Sequence, residues 1–279
     1  MTWVSARIEI DDPADPRADD FRDLNRADRR PDRPGGRGLV IGEGAIVVRR
    51  LLASRYPTRA LLGVASRYDE LADDLVSVDA PFYVAAADVM AQIVGFHLNR
   101  GVVATADRPV TRDAEMLLKA SRSVAVLEGV GDHENLGSIF RNAAALGIDA
   151  VLLGPGCADP LYRRSVRVSM GHVLAVPFAD PAAGSVAAVI ELVQRNGFIV
   201  AALTPRSDAI LLATAALPGR KVAVLLGSEG PGLTEEALRA ADLLVRIPMS
   251  GGVDSLNVAT AGAIAFAALS VGEPGDASG

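Results

Sequence analysis

A chain of 279 residues, half of them hydrophobic, is long enough for one large domain or two modest ones. With only 4% aromatic residues its core must be built of Ala, Val, Leu and Ile, as in sheets covered by helices, and its one cysteine, Cys157, excludes an intramolecular disulfide framework and points to a reducing compartment. Three scattered histidines (His97, His133, His172) give a metal site little support, and a net charge of −6 argues weakly against nucleic acid, although arginine is locally clustered.

Residues 1–34 mix Asp, Arg and Pro with few apolar positions. They are too charged for a signal peptide and read as a solvated, loosely docked extension, with Phe21 and Leu24 as anchor points. From Gly38 the pattern becomes periodic. "GEGAIVVRRLLAS" predicts a helix with Ile46, Val47, Leu51 and Leu52 on one side and arginines on the other. "RALLGVA", "FYVAAA" and "RGVVATA" read as strands and "ADVMAQIVG" as a helix, so residues 35–106 make a small α/β domain. Residues 107–120, with Pro109 and a charge run, read as a linker.

Residues 121–273 alternate regularly, ahead of a short tail at 274–279. Strand-like runs are "SVAVLEG", "DAVLLG", "HVLAVPF", "GFIVAAL", "KVAVLLG" and "DLLVRIP". Between them lie helix-like "NLGSIFRNAAALG", "PLYRRSVRVSMG", "SVAAVIELVQRN" and "TEEALRAA". Uninterrupted apolar strands separated by amphipathic helices predict a parallel sheet covered on both faces. Ligands bind such sheets beyond the carboxyl ends of the strands, which directs attention to the loops after Leu127, Leu203, Leu226 and Ile247. The apolar run from Val258 to Gly272 falls short of the ~20 residues of a membrane span, so a cytoplasmic protein is expected.

Three loops carry candidate chemistry. In "LEGVGDHENLGSIFRNAAALG", Gly129 and Gly131 start a dinucleotide fingerprint, but Glu134 stands where its third glycine belongs. Asn135 sits at a helix-cap position with Arg141 six residues on; alone, this reads as a cap and a surface arginine. In "LLGSEGPGLTEEAL", Gly227, Gly230 and Gly232 bracket Glu229 and Pro231 before a helix capped by Thr234. That loop is either a plain turn or a row of exposed amides beside an acid, suited to a cationic or hydroxyl-bearing ligand. In "SGGVDSLNVATAGAIAFAALS", Gly251 and Gly252 lead through Asp254 to Ser255, Leu256 and Asn257 at the start of a small-residue helix, where amides are unpaired. Ile264, Phe266 and Leu269 are expected to pack inside.

Taken in order, "NLGSIFR", "GSEGPGL" and "SLNVA" resemble the three motifs of the SpoU/TrmH-type RNA 2′-O-ribose methyltransferases of the SPOUT superfamily. The resemblance spans residues 121–270, extends more weakly to 38–106 and leaves 1–34 unexplained. It implies an α/β SPOUT domain with a parallel sheet, helices on both faces and a deep C-terminal trefoil knot, preceded by a smaller L30e-like α/β domain that binds RNA. It further implies a homodimer whose interface contains or borders the active sites. S-adenosylmethionine would be held by Leu203, Thr204, Leu226, Gly227, Glu229, Gly230, Ile247, Met249, Ser255 and Leu256. The implied reaction is methyl transfer to a ribose 2′-hydroxyl of structured RNA, ribosomal RNA ahead of transfer RNA, carried by Asn135, Arg141, Glu229, Ser255 and Asn257. A non-catalytic RNA-binding member is the reading from another class. Arg141, an arginine and so almost never neutral, suits an electrostatic role, with Asn135 orienting it or the ribose. Arg49, Arg50, Arg163, Arg164 and Arg167 are candidate RNA contacts, with Arg55 and Arg59 adding to the upstream patch. No metal and no membrane partner are expected.

Overall fold

In a computed structural model of the protein, residues 5–24, 38–250 and 253–270 are described. Gly251 and Gly252, residues 25–34 of the expected extension and the 274–279 tail lie outside them. The chain divides into two compact units, one of Met1–Val110 with Asp159–Ala175, the other of Thr111–Ala158 with Val176–Gly279.

In chain order the first unit holds β1 (Arg7–Glu9), β2 (Val40–Glu43), α1 (Ala45–Leu52), β3 (Thr58–Gly63), α2 (Ala65–Glu70), β4 (Phe82–Val84), α3 (Ala87–Val94) and β5 (Val102–Ala106). The second opens with α4 (Ala114–Ala120), β6 (Ser123–Leu127), α5 (His133–Ala145) and β7 (Ala150–Leu153). The chain then returns to the first unit for α6 (Arg163–Val168). The second unit closes with β8 (Phe178–Ala179), α7 (Val186–Arg195), β9 (Ile199–Leu203), β10 (Ile210–Leu211), β11 (Val222–Leu226), α8 (Glu235–Ala240), β12 (Leu243–Arg246) and α9 (Val258–Ser270).

The second unit is the α/β layer structure that the apolar strand runs predict. Its described strands lie in the order β10-β12-β9-β11-β6-β7-β8, every neighbouring pair parallel. Side chains alternate across it. Val124 and Val126 of β6, Val200 and Ala202 of β9, and Ala223 and Leu225 of β11 pack with Leu117 and Leu118 of α4, with α7 and with α8. The other face meets α9, which also packs on α5. Both faces are thereby covered, and β11 is buried over its whole length. Two late strands enter between earlier ones: β11 lies between β9 and β6, and β12 between β10 and β9. The carboxyl ends of β9, β11 and β12 therefore lie side by side.

Several expectations need correction. Residues 5–24 do not fray: β1 pairs in parallel with β4, and Ile10, Ala18, Phe21 and Leu24 are buried with Leu62, Met90 and Ile93. The intervening charges pair locally, as Arg22 does with Asp19 at 2.6 Å, so the segment is polar outside and apolar inside. The proposed linker contains α4, capped by Asp113, whose carboxylate accepts from Met116 N at 2.9 Å. The helix expected from Gly42 starts after Gly44, whose φ of 89° breaks the chain direction; Val47, Val48 and Leu51 are buried, while Ile46 is half-exposed. "HVLAVPF" contributes only its last residue, Phe178, to strand β8, because a turn takes up the amides of Leu174 and Ala175. Ile264 of α9 is 40% exposed, whereas Phe266 is fully buried.

The arginine-rich α6, expected within the second unit, packs beside β2 in the first. Its Arg163 is turned inward, 3.6 Å from the buried Glu43 carboxylate and 4.6 Å from the Phe96 ring centre. Burial pulls this guanidinium below its ordinary value, and Glu43 opposes that. Among the described residues no helix is long and apolar enough to cross a membrane.

If residues 5–24 belong to this core, Phe21→Ala should destabilise the protein by about 3–5 kcal/mol in urea unfolding. A loosely docked extension predicts no measurable change.

Candidate active site

The N-terminus of α5 is capped by Asp132, whose Oδ1 accepts from Glu134 N and Asn135 N, both at 2.9 Å. Asn135 is therefore not the cap. It stands in the first turn, 8% exposed, with its carboxamide free for other work. Asn135 Nδ2 donates to Glu229 Oε2 at 2.9 Å, and Asn135 Oδ1 accepts from Asn257 Nδ2 at 2.7 Å. Asn257 in turn caps α9, its Oδ1 accepting from Ala259 N at 3.0 Å and Thr260 N at 3.3 Å.

These bonds run in one direction. Because helix amides can only donate, Asn257 must present its oxygen to α9 and its NH₂ to Asn135; Asn135 must then present its NH₂ to Glu229, which accepts through Oε2. Dipoles aligned from a helix N-terminus to an anion reinforce one another. One residue from each of the three motifs is thus locked to the others.

Beside this chain lies a cavity of roughly 460 Å³, beyond the carboxyl ends of β9, β11 and β12. All ten residues that the resemblance assigns to the cofactor line it, from Leu203 and Thr204 through Leu226–Gly227 and Met249 to Ser255 and Leu256. The volume lies within the range of ordinary small-molecule sites. Gly227 is required by space: a Cβ there would fall 2.4 Å from Gly232 C and Leu233 N. Gly230 and Gly232 have φ of 89° and 72°, which side chains adopt with difficulty. The loop folds back on itself, with Gly232 N donating to Ser228 O at 3.1 Å. Its far end is held by the buried Glu128, which accepts from Thr234 N at 3.0 Å and from Thr234 Oγ1 at 2.8 Å. Thr234 itself caps α8 as expected, its Oγ1 accepting from Ala237 N at 3.1 Å.

The walls mix apolar Leu203, Leu226, Ile247, Met249, Leu256 and Val258 with the acids Glu229 and Glu235 and with Arg206. Arg206 is forked onto Asp208 at 3.1 Å and Glu235 at 3.3 Å. Apolar walls, exposed backbone and an excess of carboxylate fit a nucleoside that carries a positive centre. Close approach of α9 is secured by Gly262, where a Cβ would lie 3.0 Å from Leu226 Cδ1.

Not every expected residue joins. Ser255 is exposed and lines the cavity. Arg141 is exposed on α5, six residues beyond Asn135 and so about 120° around the helix from it. Asn142, seven residues on and therefore on the Asn135 face, donates to Ala259 O at 2.9 Å. Asn142 and Glu128 escaped the sequence reading; the only signal was helical spacing for one and a strand-end acid for the other. Burial pushes the Cys157 thiol up to about 11, which disfavours the thiolate form. Among the described residues no cluster of His, Cys, Asp and Glu could hold a metal ion.

The proposed RNA contacts are in the first unit. Arg49 pairs with Asp74 at 2.9 Å and Glu70 at 3.4 Å, Arg50 donates to Met170 O, and the half-buried Arg163 faces Glu43 as above. Arg164 is exposed and Arg167 half-buried. Arg59 is held by Asp20 at 2.7 Å and Asp107 at 3.1 Å.

Comparison with known proteins places these features. The profile of the SpoU rRNA Methylase family matches residues 122–267. An "uncharacterized tRNA/rRNA methyltransferase" of Mycobacterium tuberculosis is 57% identical over 260 residues, covering 92% of this chain and 90% of that protein. The 23S rRNA (guanosine-2′-O-)-methyltransferase RlmB of Nitrosomonas europaea is 32% identical over 209 residues, 71% of this chain and 78% of its own. Among solved structures, the AdoMet-bound rRNA methyltransferase of Sinorhizobium meliloti superposes with a TM-score of 0.78 at 25% identity, covering 94% of this chain and 97% of that one.

The polarity of the hydrogen-bonded chain can be tested. Asn135→Asp keeps the shape but sets a second carboxylate against Glu229. Protons then bind more readily to the folded than the unfolded protein, so stability should fall as pH rises. The melting temperature of Asn135→Asp relative to wild type should drop more at about pH 8 than at about pH 5. An equal drop at both would contradict this polarity.

Proposed function

Because the chain belongs to the SpoU rRNA Methylase family and uses S-adenosylmethionine, we propose that it methylates a ribose 2′-hydroxyl of ribosomal RNA. The observation that carries this reading is the Glu229–Asn135–Asn257 chain at the edge of a glycine-walled cavity. S-adenosylmethionine supplies a methyl group on a sulfonium, leaving the protein to align the hydroxyl and help remove its proton.

Leu203, Leu226, Ile247, Met249 and Leu256 would hold the apolar part of the cofactor, with the backbone of the Gly227 loop against it. Glu229, fixed by Asn135, favours the positive centre. Ser255 lines the pocket rim, and Asn257 shapes it through its hydrogen bonds. Arg141 acts by holding a phosphate or by stabilising the developing alkoxide, and a phosphate or another group takes the proton. It lies off the Asn135 face of its own helix, which agrees with a homodimer whose interface borders the sites. The exposed Ile264 on α9 supports the same assembly. The insertion of β11 and β12 between earlier strands and the return of α9 onto α5 are what a C-terminal trefoil knot requires. The first unit would bind the RNA.

The test is methyl transfer from labelled S-adenosylmethionine to ribosomal RNA lacking the modification. Wild type should yield alkali-resistant dinucleotides, the mark of 2′-O-methylation, and Arg141→Ala should be about 10²–10³-fold slower with unchanged cofactor affinity. Alkali-labile product, acceptance of transfer RNA alone, or a near wild-type rate for Arg141→Ala would each overturn part of this assignment.

A further inference from the structure

Arg49, Arg50, Arg59 and Arg163 of the first unit are engaged inside the protein, so RNA recognition there calls for further groups. We propose that a pocket at the carboxyl ends of the adjacent parallel strands β3 and β4 receives one unpaired nucleobase of the RNA substrate; this rests on the RNA reading above.

The pocket measures about 380 Å³ and is lined by Val64, Ser66, Arg67, Met90, His97 and Asn99 among others. Its floor is apolar: Met90 is 1% exposed, and Val64 and Leu98 are partly buried against the same core. Its rim is polar, with Ser66, His97 and Asn99 all exposed. The rim is also fixed in place. Asn99 N donates to His97 O at 3.1 Å, Gly101 N to Leu98 O at 2.9 Å, and Val64 N to Gly101 O at 3.0 Å. Gly101, at φ 67°, keeps the wall thin; a Cβ there would stand 3.3 Å from Val64 Cγ2 and 3.4 Å from Arg67 Nε.

Charge decides which part of a nucleotide enters. Arg67 is paired with Glu70, so the pocket offers little net positive charge to a phosphate. A hydroxyl, an imidazole and a carboxamide offer both donors and acceptors, which matches the edge of a base. An apolar floor suits its face. Bases can be read in this way only when unstacked and unpaired, as in loops and bulges. The phosphate has its own partner next door. Arg100 is exposed and makes no ion pair among the described residues; its stem lies across Gly44, where a Cβ would be 2.7 Å from Arg100 Cδ.

The experiment uses the full-length protein and two fluorescein-labelled RNA probes of about twelve nucleotides, one single-stranded of mixed sequence and one blunt duplex. The His97→Ala/Asn99→Ala double variant should bind the single strand about tenfold more weakly, bind the duplex as wild type does, and keep its salt dependence. Arg100→Ala should weaken both probes and reduce the single-strand salt slope by about 0.7. Unchanged single-strand affinity in the double variant, or equal weakening of both probes, would overturn the pocket. Should the double variant lose its fold by circular dichroism, Asn99→Asp takes its place, with the same two outcomes. Calorimetry of wild type with S-adenosylmethionine separates the two readings: no cofactor binding removes the methyltransferase assignment and leaves the pocket to be judged by the RNA probes.

Discussion

Everything at the candidate active site depends on the directional hydrogen-bonded chain from the α9 amides through Asn257 and Asn135 to Glu229. Its links join residues 122 and 94 positions apart in sequence. Such contacts cannot be local accidents; they exist only because the sheet order sets α5, the β11 loop and the start of α9 side by side. The chain also fixes the state of each member. Asn135 has both ends of its carboxamide assigned, and Glu229 is required as an acceptor. The Gly227 loop is then pinned from two sides, by Asn135 through Glu229 and by Glu128 through Thr234. A loop whose backbone must face a ligand gains its precision from these anchors rather than from its glycines, which only make the path sterically possible.

The layer structure was legible because its signal is strong. Short, near-continuous apolar runs such as those of β6, β9 and β11 fit strands buried on both faces. The motif residues were legible as a set, and Asn135, Glu229 and Asn257 do meet. Their roles were less so. Asn135 looked like a cap because Asn favours that position, but Asp132, three residues earlier, holds it. Arg141 looked like a neighbour of Asn135 in sequence, whereas helical geometry places it elsewhere around α5. Spacing along a chain does not say which face a residue takes until the helix start is known.

The larger departures have a common cause. Residues 5–24 read as a solvated extension because their charges outnumber their apolar residues, yet a few buried positions suffice when the charges pair with each other. Arginine was read as free positive charge, and much of it is structural: Arg49, Arg59 and Arg163 each meet a carboxylate. In a chain with more acids than bases, a surface arginine has many candidate partners within the protein. Clusters of arginine therefore overstate the attraction for RNA, and neutral hydrogen-bonding groups on a shaped surface become the better guide.

The central claim, that this constellation delivers a methyl group to ribose in ribosomal RNA, is tested most directly by mapping 2′-O-methyl groups across the RNA of cells with and without the gene. The account predicts one ribosomal position that loses its methyl group in the deletion and regains it with wild-type protein but not with Arg141→Ala. Identical ribosomal maps in the two strains would contradict it.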